Sequence, residues 1–162
     1  MDESAPGHVS TGNTFKSSSQ PFYLGYGSLI RGYEASSFLP EECPPGGFSC
    51  VAFDRLIGDK LVIANLEFRI PLFGTDAFGL LNFPFLPTEI SPFFDAGIAW
   101  NKGDPPVLTW AEQSFERIPV FSTGVATRMN IMGYLILQVY YAFPFQRPEK
   151  GFHWGFTIEP GW

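Results

Sequence analysis

The sequence predicts an all-β fold of five antiparallel strands, each about as long as a membrane-crossing strand. Three observations carry this. Five segments alternate apolar and polar residues with period two, the signature of a strand with two unlike faces. The composition is aromatic-rich and charge-poor: 18 Phe, 6 Tyr and 4 Trp stand against 16% charged residues, where a typical soluble domain carries about 25%. Finally, 17 Gly and 15 Pro in 162 residues leave no room for long helices and favour strands joined by turns.

The strands follow in order. In "VIANLEFRI" (62–70), Val62, Ala64, Leu66, Phe68 and Ile70 form one face, while Asn65, Glu67 and Arg69 form the other. In "ISPFFDAGIAW" (90–100), Ile90, Phe94, Ile98 and Trp100 oppose Ser91, Asp95 and Gly97. In 122–132, Val125, Met129 and Ile131 oppose Ser122, Arg128 and Asn130. In 135–145, Leu135, Leu137, Val139, Tyr141, Phe143 and Phe145 oppose Gln138 and Tyr140. In 152–162, Phe152, Trp154, Phe156, Ile158 and Trp162 oppose His153, Thr157 and Glu159. Aromatic residues gather near strand ends, as in the interfacial girdles of membrane barrels.

The connections are unequal, as in outer-membrane barrels. A tight turn at Gly133-Tyr134 joins the third and fourth strands, whereas "NKGDPPVLTWAEQSFERIP" and "QRPEKG" are long and polar. The apolar link "PLFGTDAFGLLNFPFLPTE" is expected to pack at a rim. Two other architectures compete. The uncharged run 129–146 is long enough for a membrane helix, but Gly133, Pro144 and its β-branched and aromatic residues argue for a strand pair. A secreted, soluble β-sandwich binding module would also alternate, with its apolar face covered by a second sheet.

Residues 1–20 read as a flexible lead-in without the basic and apolar regions of a signal peptide. Residues 21–57 precede the strands and contain "LIRGYE", in which Arg31 is a cation in an apolar, glycine-rich turn. Cys43 and Cys50 flank "PPGG", a sharp bend that suits a disulfide, though the spacing also permits two free thiols. Two cysteines without nearby histidines do not make a metal centre. With 10 basic and 16 acidic residues and no basic cluster, nucleic acid is excluded as a partner. "GYGS" lacks the G-x-S-x-G frame of a nucleophile elbow, and the loop glycines do not space as a phosphate loop. Neither an enzyme nor a cofactor is expected. His153 reads as a polar residue on an inward face, too far from Glu159 to be oriented by it.

The order of these pieces resembles the C-terminal part of the BamA/TamA superfamily of outer-membrane barrels, the bacterial surface antigen family. The residues that carry it are "LIRGY" (29–33), "ANLEFRIPL" (64–72), "FFDAG" (93–97) and three further strands ending on an aromatic. The resemblance implies a sixteen-stranded transmembrane barrel, of which residues 58–162 supply five strands. It also implies that 21–57 is an extracellular loop folded into the lumen. The loop would be locked there by Arg31, Gly32 and Tyr33 against the acids Glu67 and Asp95. His153, Gly155, Phe156, Ile158 and Trp162 match the terminal signal for barrel insertion, from which Pro160 departs as an expected mark of a loosened seam. The implied location is the outer membrane of a Gram-negative-type bacterium. The implied role is insertion of barrel proteins or translocation, unless the barrel only anchors a fused domain. Five strands leave two open edges, which lipid does not tolerate. The implied partners are therefore the remainder of the barrel, on the same chain or another, outer-membrane lipid, and other outer-membrane complex subunits.

Overall fold

A computed structural model describes residues 21–40, 42–43, 50–74, 79–83, 85–112 and 114–160. The lead-in 1–20 and Trp162 lie outside the described residues. Among the described residues nine strands form: β1 (Phe22–Tyr23), β2 (Ile57–Gly58), β3 (Lys60–Glu67), β4 (Ile70–Gly74), β5 (Leu81–Asn82), β6 (Thr88–Trp100), β7 (Val120–Ile131), β8 (Leu135–Pro144) and β9 (His153–Pro160). β1 and β2 make a small sheet of their own, and the other seven make one sheet.

The large sheet is a meander. β3 and β4 both pair antiparallel with β6, and β6, β7, β8 and β9 follow in sequence order. β3 and β4 are one long strand with a gap, because Glu67 faces Phe93 and Ile70 faces Ile90 in a single register. The gap falls opposite Pro92, whose carbonyl accepts from the Phe68 N–H. Proline has no N–H to return the bond, so the ladder breaks there.

Several bounds differ from the sequence expectation. The first strand runs on through β4 to Gly74, absorbing the start of the apolar link, and β5 pairs parallel against its outer edge. The second and third begin two residues earlier, at Thr88 and Val120. Residues 129–146 are a strand pair closed by the three residues Met132 to Tyr134, with Met132 and Gly133 at positive φ and the Tyr134 N–H donating back to the Ile131 carbonyl, a tight hairpin turn. Pro160 stays in register opposite Leu135 on the outermost described strand of the sheet, so it leaves the β8–β9 pairing in place.

Pairing fixes which residues share a face. One face carries Asn65, Glu67, Asp95, Ser122, Gly124, Gln138, Tyr140, His153 and Gly155. The described residues of 21–57 lie on this face and build a core there. Leu24, Ile30, Tyr33 and Leu56 are fully buried against Ala99 and Val120. Small residues make the room. A side chain at Gly97, in "FFDAG", would come within 2.3 Å of Ile30 Cδ1.

The other face is bare. Val62, Leu66, Phe68, Val125, Tyr141, Trp154, Phe156 and Ile158 are all exposed. At one end a row of rings crosses it: Trp110 stacks on Phe121 at 5.3 Å and meets Phe145 at 5.7 Å, and Phe145, Phe143 and Phe152 continue in sequence. At the other end Phe73, Phe83 and Phe85 make a second row. Soluble monomers rarely expose apolar patches of this extent. A β-sandwich would cover this face, and among the described residues nothing does.

Candidate functional site: the loop on the sheet

The chain reaches the sheet surface at Leu29–Glu34, where Gly32 takes φ +89°. That left-handed turn suits glycine, and it places Arg31 and Tyr33 in separate hollows. Arg31 lies almost wholly buried over the Phe93 ring, its guanidinium carbon 3.5 Å from the ring centroid. Its Nε and Nη2 donate to the two oxygens of Asp95, each at 2.8 Å. Its backbone N–H adds a third bond to Asp95, at 3.2 Å. Asn65 donates a fourth at 2.9 Å, and at 2.8 Å it also holds the Leu29 carbonyl. The remaining end of the guanidinium reaches Glu67 at 3.1 Å, which Arg69 grips from its other side.

A buried ion pair persists when its geometry is good and its remaining valences are filled, and here both hold. Asp95 has no exposed surface and four donors. Burial alone would lower the Arg31 pKa, but hydrogen bonding to Asp95 and then Glu67 outweighs it and raises it. The fork geometry suits arginine and not lysine.

Tyr33 fills the next hollow. Its hydroxyl donates to Gln146 Oε1 at 2.9 Å and sits 3.0 Å from the Phe121 carbonyl. Arg147 then closes the loop from the sheet side. It bridges both oxygens of Glu42 at 2.7 Å and donates to the Gly32 carbonyl and to Ser37. Burial pushes the Glu42 carboxyl up, but Arg147 more than offsets it and holds the group below its ordinary value. Beyond it, Cys43 and Cys50 are joined as a disulfide. Arg117 ties the end of the covering segment, donating to the carbonyls of Asp54 and Ile57.

Arg31, Glu67 and Asp95 thus meet in one cluster, with Gly32 at the turn beside it and Tyr33 in the adjoining hollow. His153 and Gly155 lie on the covered face near its edge, whereas Phe156 and Ile158 point to the bare face. Asn65, Phe93, Gln146 and Arg147 belong to the cluster and were not singled out from sequence. Asn65 had a signal, since it stands two residues before Glu67 on the same face. Arg147 had none, because "QRPEKG" reads only as a polar link.

A sheet with one apolar, ringed, bare face and one face plugged by an arginine-pinned loop defines an outer-membrane β-barrel wall with an infolded loop. The family model of the Omp85 superfamily domain matches residues 6–159. The chain belongs to the Omp85 superfamily, whose members are outer-membrane proteins of Gram-negative-type bacteria. No curated protein and no solved structure matches it significantly.

Proposed function

We propose that this chain forms the C-terminal wall of an outer-membrane barrel that inserts barrel proteins or translocates material, with residues 21–57 locked in its lumen. The observation that carries the reading is the Arg31–Asp95 pair: a two-pronged, buried ion pair across 64 residues of sequence. A surface loop has no use for such a contact, whereas a loop that must stay inside a barrel does. The sheet leaves the outer edge of β3 and the far edge of β9 unpaired among the described residues. Further barrel strands would take up both, and lipid would cover the bare face.

Arg31→Ala in the complete protein tests this. Truncating one partner of a buried pair costs about 3–5 kcal/mol, enough to free the stretch of the loop around Arg31. The expected result is new protease cleavage within 21–57 on intact cells, together with loss of outer-membrane protein assembly or of transport. Cleavage with both activities unchanged would leave the barrel as an anchor for a fused domain. No cleavage would remove the lock.

A further inference from the structure

Glu34 is the acid nearest to Arg31 in sequence, yet no hydrogen bond joins them. Its Oε1 accepts from the Gly32 N–H at 3.2 Å and from the Tyr140 hydroxyl. Its buried Oε2 has no aligned hydrogen-bond donor, and His153 Nε2 stands 3.1 Å from it. Tyr140 belongs to β8 and His153 to β9. The tyrosine is held in a slot between two glycines. A side chain at Gly155 would lie 2.3 Å from its hydroxyl, and one at Gly27 would lie 3.0 Å away. Burial pushes the Glu34 carboxyl up, but contacts with His153, Tyr140 and the backbone outweigh this and hold it below its ordinary value.

We infer that Glu34 is a second positioning residue, which ties the loop to β8 and β9 independently of the Arg31 pin on β3 and β6. Among the described residues β9 pairs only with β8, so a lone hydrogen-bonded ladder holds it on one side. Beside a long, half-exposed Arg128–Glu159 contact to β7 at 3.8 Å, Glu34 gives it a buried attachment to the loop, made through side chains and not through that ladder. To serve Oε2 the imidazole must carry a proton on Nε2, because an ionised carboxylate only accepts. Gly155 has a physical task here: it leaves the gap across which Tyr140 reaches the loop. The inference rests on the reading of 21–57 as a lumenal loop held in place, and it adds which strands are held by which residue.

The test is hydrogen exchange, read by mass spectrometry on the complete protein in membranes, for peptides covering 153–160 and 60–67. Glu34→Ala is expected to speed exchange in 153–160 at least several-fold and to leave 60–67 as in the parent. His153→Ala should do the same. The double variant should add little, because both changes cut one contact. Arg31→Ala should show the opposite pattern, loosening 60–67 first. Retained heat-modifiable migration confirms that each variant still folds. Unchanged exchange in 153–160, full additivity in the double variant, or equal loosening of both peptides by Glu34→Ala would each overturn the inference. Failure of Arg31→Ala to impair assembly or transport would sink the proposed function but leave this exchange pattern intact.

Discussion

At the scale of single residues, the site is built twice on one device. Phe93 lies across Gly124 and carries the Arg31 guanidinium; Tyr140 lies across Gly155 and carries the Glu34 carboxylate. In both, a glycine on the neighbouring strand lets a ring lie flat where a side chain would lift it. Added Cβ atoms would come within 2.9 Å of the Phe93 ring and 2.3 Å of the Tyr140 hydroxyl. The loop also depends on acid. Glu34 and Glu42 both titrate below the ordinary value of 4.5 in the folded chain. A carboxyl with a depressed folded pKa contributes stability above its unfolded value, and that contribution is lost as pH falls through the folded value. Protease protection of residues 21–57 is therefore expected to hold from neutrality down to about pH 4.5 and to fail below it. Protection that declines already between pH 7 and 5 would contradict this.

At the scale of elements, Pro92 is the informative residue. It sits inside β6 with strands on both sides, where proline is rare. Its missing N–H faces Phe68 and splits the first long strand into β3 and β4. Pro92→Val should close the ladder. The restored bond contributes about 1 kcal/mol, while losing proline's rigidity in the unfolded chain removes about 0.4–1 kcal/mol. Global stability should thus barely move, and the new amide at position 92, facing the Phe68 carbonyl, should be protected from exchange. An unprotected amide at position 92 would show that the gap has another cause. The strands themselves were legible because their alternation is strong, and Glu67 and Asp95 share a face by parity alone. The gap was not legible, since "ISPFFDAGIAW" alternates straight through Pro92. Nor was Glu34's partner, because contact across 119 residues leaves no local trace in a periodicity.

For the whole molecule, the two faces demand different surroundings. The bare face carries aromatic rows at both ends, and the ten residues of β8 span about 34 Å at about 3.4 Å per residue. Tilted as barrel strands are, that crosses a hydrophobic band of about 25 Å. Trp154 is exposed on this face. In a variant keeping Trp154 as its sole tryptophan, reconstituted with bromine-labelled acyl chains, its fluorescence should be strongly quenched. Full emission there, with quenching by an aqueous agent instead, would put the face in water. The covered face needs no such solvent, because the chain supplies its own filling.

The loop's reach along the chain has a consequence for the order of events. Six residues, Leu29 to Glu34, touch β3, β6, β7, β8 and β9 through Asn65, Asp95, the Phe121 carbonyl, Tyr140 and His153. The loop precedes all five strands in sequence, yet its anchors are complete only when the last has joined. Loop-closure entropy must be met before such distant contacts return anything. Arg31 needs only β3 and β6, whereas the Glu34 anchor cannot be complete before β8 and β9 have joined. The fully pinned loop is then a record that assembly has finished, made early in the chain and set last in time.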